Sequence, residues 1–257
     1  MLRFVILGSS SSGNALLVFS DKTRILVDNG FSYKRLSETL GSLGILPESL
    51  DAVVVTHEHA DHVKGLGVLA RKTGIPVYMT HGCAEALPPY VGPIPRLARF
   101  ESGDALDFND IEAVSFAVSH DAADPVNYVF KAHGAKLGIA TDFGHCSQLT
   151  RARLEGANAL VVESNYCPDM LRRGPYPPQI QQRIQSRMGH LSNLDVQQLL
   201  HDLSHDGLRL VVLTHISREN NTPELASALA REAVGSMPIH VAVAPPDAAS
   251  PVFEVYP

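Results

Sequence analysis

No stretch of this sequence is long and apolar enough to span a bilayer, because the 45% of residues that are hydrophobic fall in short runs. The apolar opening, Met1 to Leu7, ends at Gly8 without a small-residue cleavage site. It is therefore expected to be a first β-strand and not a secretory signal. Cysteine is scarce. The three thiols, Cys83, Cys146 and Cys167, are odd in number and far apart, which argues against a disulfide framework or a zinc ribbon and fits a reducing, cytoplasmic compartment. A basic excess is also missing: 21 Lys and Arg stand against 27 Asp and Glu, so a formal net charge of −6 gives the whole chain no attraction to a phosphate backbone. Linkers, low-complexity tracts and charge blocks are absent too. Residues 1–257 are expected to form one domain, a size that α/β enzymes often reach as a single unit. No sequence feature bears on oligomeric state.

Histidine is what the chain has in plenty, twelve in all, and that count points to metal chemistry. Short apolar runs at 4–7, 15–19 and 24–27, the last running into Asp28, are joined by turn-rich segments such as 8–14 and predict an antiparallel or mixed sheet. Tyr33, Leu36, Leu40 and Leu43 are spaced by three and four, the pattern of an amphipathic helix over 33–43. The run Ala52-Val53-Val54-Val55 suits a strand buried on both faces. A helix over 63–72 is expected next, with Gly74 as its C-cap. Further strands are expected at 75–79, 111–118, 137–140, 159–162 and 208–213, with a helix from Asn193 to Leu203. Residues 81–110 carry no usable signature. Strands alternating with helices predict an α/β fold with helices covering the outer faces.

The most specific segment follows the buried run 52–55: Thr56-His57-Glu58-His59-Ala60-Asp61-His62. On a regular helix His57 and His59 would diverge by about 200° and could not share an ion, whereas positions i and i+2 of extended chain lie on one side. The cluster is therefore placed on a loop leaving the strand. Imidazole and carboxylate donors together suit Zn²⁺, Mn²⁺ or Fe. An exposed polar loop is the bland alternative, and so dense a donor set after an apolar strand argues against it.

This segment resembles the His-x-His-x-Asp-His signature of the metallo-β-lactamase fold superfamily. The resemblance implies an αββα sandwich, two mixed β-sheets flanked by helices, and a pair of divalent metal ions, Zn or Mn with Fe as a further candidate. It also implies three more ligands, each matched at the end of an apolar run: His120, Asp142 and His215. The implied arrangement puts His57, His59 and His120 on one metal, Asp61, His62 and His215 on the other, and Asp142 between them. Residues 8–14, Glu163-Ser164-Asn165-Tyr166, Gly189-His190-Leu191-Ser192-Asn193 and residues 214–221 are similar to the YycJ/WalJ subgroup, some of whose members are described as 5′-to-3′ exonucleases. Class B1 β-lactamases carry cysteine where Asp142 stands, which disfavours antibiotic hydrolysis. Only residues 143–214 separate Asp142 from His215, too few for the inserted domain of the RNA-processing members.

His190 stands where phosphodiesterases of the superfamily carry an extra histidine. It is expected to be the catalytic acid beside Asp61 as orienting base, the alternative being a cap on the helix that begins near Asn193. Residues 171–194 hold Arg172, Arg173, Arg183 and Arg187 and no acid, either a substrate-side basic strip or a solvated helix face. Arg183, Arg187, Asn193 and Ser217 are the candidate substrate-binding residues. Tyr166 and Tyr176 are candidates either for stacking on bases or for packing. The amides of 8–14 either approach a phosphate or form a plain turn. The expected activity is that of a phosphodiesterase or exonuclease acting on DNA, RNA or another phosphodiester, without a membrane partner. A thioester or lactone hydrolase using the same metals is the alternative.

Overall fold

The computed structural model describes residues 1–10, 13–246 and 248–257. The first sheet contains β1 (Leu2–Ser10), β2 (Gly13–Phe19), β3 (Arg24–Val27), β4 (Ala52–Val54), β5 (Val77–Thr80) and β6 (Leu97–Phe100). The second contains β7 (Ala105–Phe108), β8 (Ile111–Ala117), β9 (Val126–Ala132), β10 (Ala135–Ala140), β11 (Ala159–Glu163), β12 (Leu210–Thr214) and β13 (His240–Val243). The last strand, β14 (Phe253–Val255), returns to pair with β1, giving the orders β14-β1-β2-β3-β4-β5-β6 and β13-β12-β11-β10-β9-β8-β7. Both sheets are mixed. β3 to β6 run parallel, as do β10 to β13, while β1, β2, β3 and β7 to β10 pair antiparallel.

Nine α-helices lie among the described residues: α1 (Tyr33–Ser42), α2 (Ala60–Val63), α3 (Leu66–Thr73), α4 (His81–Ala86), α5 (Gln148–Leu154), α6 (Pro168–Arg173), α7 (Pro178–Ile184), α8 (Asn193–Leu203) and α9 (Pro223–Val234). None is long and apolar enough to cross a membrane.

Strand alternation sorts the apolar residues into three layers, which is the αββα sandwich. On β1, Phe4 and Ile6 join Tyr128, Ile139, Val161 and Val212 between the sheets. Their neighbours Val5 and Leu7 face outward, against Leu36 and Leu40 of α1 and Leu69 of α3. On the other side Val162, Val211 and Leu213 pack on Leu154 of α5, Leu199 of α8 and Ala230 of α9. A strand buried on both faces must be apolar at successive positions, and that accounts for the unbroken runs of the sequence.

Two differences from expectation have local causes. The helix expected over 63–72 is broken into α2 and α3 at Lys64 and Gly65. Gly65 donates its N–H to Asn29 O at 3.0 Å, and a Cβ there would lie 1.6 Å from Phe31 O. The chain turns because another backbone occupies the space. Segment 8–14 is mostly strand, with Ser9 and Ser10 pairing with Asn14 and Gly13 across β1 and β2; its Ser11 and Ser12 lie outside the described residues.

The sheets are tied at both ends. At one end Val126 donates its N–H to Thr56 O at 3.0 Å, and the Tyr128 hydroxyl donates to Val55 O at 2.6 Å. His215 N–H also donates to Ser9 Oγ at 2.9 Å. At the far end Asp110, between β7 and β8, accepts from Thr23 Oγ1 at 2.6 Å, Ser20 Oγ at 2.8 Å and His133 Nε2 at 3.0 Å. Burial works against its charge, but these donors outweigh burial and hold its pKa at about 2. The folded value lies below the unfolded one, about 3.9. The stabilisation is thus complete above about pH 4 and lost as pH falls toward 2. Replacing Asp110 with Asn should lower the melting temperature at neutral pH, and the gap from wild type should close on acidification. Melting curves recorded from about pH 6 to pH 2 check this; a gap independent of pH would contradict it.

Candidate metal centre

The expected ligands follow the carboxyl ends of strands that share one edge of the sandwich, where open α/β sheets place their sites. Asp61 and His62 are carried a little further, on the short helix α2 and not on the loop itself. His57 follows β4, His120 follows β8, Asp142 follows β10, and His215 follows β12. Asp142 and His215 adopt left-handed backbone conformations, with φ of 54° and 52°, as does Asp28 after β3 with φ of 60°. Non-glycine residues rarely accept that conformation; here it swings three side chains out of the strand direction into one space.

The donors gather in three overlapping groups, each with ligand atoms within 4.8 Å of one another: His57, His59 and His120; His57, His62 and Asp142; and Asp142, Glu163, His190 and His215. In the first, the three rings stand 4.6 to 5.0 Å apart. Asp142 touches both remaining histidines, Oδ2 at 3.4 Å from His62 Nε2 and Oδ1 at 3.3 Å from His215 Nδ1. Asp61 falls outside these groups. Its Oδ2 lies 3.6 Å from His62 Nε2 and accepts from Asn14 Nδ2 at 2.9 Å.

Each histidine has at least one ring nitrogen engaged by the protein, which orients the ring; on His62 the second, Nε2, also lies 3.1 Å from Asn14 Nδ2. His57 Nδ1 donates to Thr56 Oγ1 at 2.9 Å, and that hydroxyl donates onward to Asp28 Oδ2 at 2.8 Å. His62 Nδ1 donates to the same Asp28 oxygen at 2.8 Å. His59 Nε2 donates to Asp121 O, and His120 Nδ1 to Gly189 O, both at 3.2 Å. His190 Nδ1 and His215 Nδ1 both turn to Glu163 Oε2, at 3.0 and 3.3 Å. Glu163 is completely buried, and its Oε1 also accepts from the N–H groups of Phe143 and Leu191.

Buried polar atoms without partners are rare. Two of them here, His57 Nε2 and Asp142 Oδ2, belong to these donor groups. The residues present therefore fit a divalent cation: neutral imidazole nitrogens and carboxylate oxygens, held in place beforehand. The charge balance agrees. Burial depresses His57 well below its ordinary pKa, and neighbouring His62 adds to the effect. Burial would also depress His62 and His215, yet Asp142, with Asp28 beside the first and Glu163 beside the second, lifts them to about 10 and about 9. The pocket calls for positive charge.

The other expected residues are placed as follows. Ser192, not His190, caps α8, sharing a reciprocal capping box with Asp195. His190 lines a cleft beside His215. Ser217 lines that cleft as well, Arg187 is exposed, and Arg183 is paired with Asp121 through Nε at 2.7 Å. Asn193 is buried and exchanges hydrogen bonds with Ser164 and Asn221, away from the cleft wall. Tyr166 is buried, whereas Tyr176 lines the cleft. Sequence reasoning missed Asp28 and Glu163 as site residues, although both show the signal that found Asp142, an acid closing an apolar run.

The family model of a beta-lactamase superfamily domain matches residues 23–216. The chain belongs to the metallo-β-lactamase superfamily. Within it, the chain is 42% identical over 227 residues to the exodeoxyribonuclease YycJ of Bacillus anthracis, covering 88% of this chain and 86% of that one. It is 36% identical over 263 residues to the exodeoxyribonuclease WalJ of Streptococcus pneumoniae, covering 98% of each. These relatives place it in the YycJ/WalJ subgroup. Among solved structures, the metallo-β-lactamase fold protein YhfI of Bacillus subtilis superposes with a TM-score of 0.76 over 98% of both chains at 18% identity, a likeness of fold. As a superfamily member with this donor set, the protein is a metal-dependent hydrolase.

Partners that hold a ligand's second nitrogen are commonly worth about 10- to 100-fold in metal affinity. Asp28→Asn and Glu163→Gln should each weaken divalent-metal binding by that factor, measured by competition with a chromophoric chelator, with the far-ultraviolet circular dichroism retained. Wild-type affinity in both variants would contradict the orienting role.

Proposed function

We propose that the protein is a dinuclear metal-dependent phosphodiesterase, an exonuclease acting on DNA or RNA through a single domain spanning 1–257. The observation that carries this reading is His190. Its Nδ1 is held by buried Glu163, its ring stands 5.4 Å from that of His120 and 5.0 Å from that of His215, and it faces a cleft. A histidine fixed through Nδ1 beside the ligands can deliver a proton from Nε2 to a leaving oxygen. The names of the two long relatives, both exodeoxyribonucleases, support the substrate class.

His57, His59 and His120 would hold one cation, and Asp61, His62 and His215 the other, with Asp142 shared. Zn²⁺ or Mn²⁺ suits these donors best, and Fe is compatible with them. A pair of such cations supplies an activated water near neutral pH and neutralises charge on the phosphoryl oxygens. The chain's own groups do the rest. Asp61, steadied by Asn14 Nδ2, orients the water and accepts its proton. His190 protonates the departing sugar oxygen. Arg187 and Ser217 contact the substrate, Arg183 acts through Asp121, and Asn193 ties the start of α8 to Ser164 and Asn221.

His190 itself is positioned by close packing. A Cβ on Gly144 would lie 2.3 Å from Ser186 O and 2.5 Å from Gly189 N, so the turn after Asp142 holds segment 186–189 directly.

Incubation of the holoenzyme with single- and double-stranded DNA and RNA, across Mn²⁺, Zn²⁺ and Mg²⁺, should show stepwise shortening from one end. Internal cuts only, or no cut with any metal, would contradict the proposal. Asp61→Ala should abolish turnover in a folded protein. His190→Ala should lose at least about tenfold more activity with an alkoxide leaving group than with nitrophenolate, because general-acid help matters most for poor leaving groups. Equal losses would remove the acid role.

A further inference from the structure

A cleft of about 320 Å³ opens beside the metal-ligand groups. His190 and His215 line it, and Asn165, Tyr176, Ile184, Ser217 and Arg218 are among the residues that line it with them. We infer that this cleft receives the single terminal nucleotide that departs when the strand is cut, so that the enzyme releases mononucleotides. The inference rests on the phosphodiesterase reading above and adds to it a unit of cleavage.

Position comes first. His190 supplies its proton to the leaving oxygen, and the group attached to that oxygen must lie on the side His190 faces. That side is the cleft. Size comes second. Clefts for small ligands run from roughly 300 to 1,000 Å³, so this one sits at the small end and suits one nucleotide, not two.

The third argument is the chemistry of the walls. Tyr176 and Ile184, from either end of the α7 segment, offer an aromatic face and an apolar contact, the surface on which a base stacks regardless of sequence. The segment just past β12 adds Ser217 and Arg218 to the lining, side chains suited to sugar and phosphate oxygens. Glu219 is the one carboxylate on the lining; it can accept from a sugar hydroxyl or a base amino group. The floor is built into the metal centre. Asn165 Nδ2 donates to His215 O at 2.9 Å, and Ser217 N–H donates to Asn165 O at 2.9 Å. A nucleotide seated there is therefore registered against His215 and His190.

In the cut, the water oxygen bonds to phosphorus, and the bond from phosphorus to the departing sugar oxygen breaks with its electron pair staying on that oxygen. The His190 proton completes the new hydroxyl, and the water's proton passes to Asp61, both groups then re-equilibrating with solvent. The 5′-terminal unit leaves as one mononucleotide, with its new 3′-hydroxyl and the 5′-phosphate it already carried. The attacked phosphorus stays on the shortened strand as its new 5′-phosphate, and that strand can advance by one unit.

The test follows the earliest products from 5′-phosphorylated single-stranded DNA by anion-exchange chromatography, using metal-loaded wild type, Tyr176→Ala and Arg218→Gln. Bis(p-nitrophenyl) phosphate serves as a second substrate with no base or sugar. Mononucleotides should appear first. Each variant should raise KM for DNA by about tenfold more than for the small diester, about the effect of losing one stacked base or one phosphate contact. A deoxynucleoside monophosphate should inhibit wild type competitively and the Tyr176 variant more weakly. Dinucleotides or longer fragments as first products, or equal KM changes on both substrates in both variants, would overturn the inference while leaving an exonuclease. Wild type that hydrolyses the small diester yet leaves DNA and RNA intact would instead overturn the function beneath it.

Discussion

Two buried carboxylates, Asp28 from the first sheet and Glu163 from the second, decide where the histidines of this site point. An imidazole in a cavity closed to water has two polar atoms to satisfy, and an unsatisfied one costs about 1 to 3 kcal/mol. Asp28 takes His62 directly and His57 through Thr56, and Glu163 takes His190 and His215. With those nitrogens committed, the rings face a shared space, and there His57 Nε2 and Asp142 Oδ2 have no hydrogen-bond partner. The arrangement lacks only positive charge.

The fold is what lets two carboxylates on different sheets serve one centre. The parallel strands β3 and β4 in one sheet and β10 to β12 in the other end at the same edge of the sandwich. Hydrogen bonds from Val126 to Thr56 and from His215 to Ser9 tie the sheets at that edge, and the Asp110 cluster ties them at the opposite one. A slip of either sheet would separate Asp142 from His62, because a gap of 3.4 Å joins side chains from different layers. Left-handed turns at Asp28, Asp142 and His215 are the local strain this alignment demands.

Much of this was legible in the sequence. Unbroken apolar runs gave nearly every strand around the site, because strands buried on both faces must be apolar throughout. The spacing within 57–62 located a loop whose histidines join the donor groups, and helix 193–203 lies where it was expected. Strand β9 was missed because Asn127 and Lys131 interrupt its pattern; Asn127 is buried, yet it is satisfied by Thr141 across the sheet. The long helix 63–72 was wrong at Gly65, since the backbone of residues 29 and 31 that forces the break arrives from elsewhere in the chain. Asp28 and Glu163 each close an apolar run, as Asp142 does, but the histidines they hold lie about 30 to 50 positions away, so the contacts themselves are not encoded locally. The pairing of Arg183 with Asp121 is of the same kind.

The central claim is that this constellation holds two divalent cations at once, with Asp142 between them. Titration of metal-stripped, folded protein with Zn²⁺ or Mn²⁺, with bound metal counted by elemental analysis at each step, tests it most directly. The account predicts saturation at two ions per chain, and at one in a variant lacking His215. Saturation of the wild type at a single ion, or no uptake by well-folded protein, would contradict it.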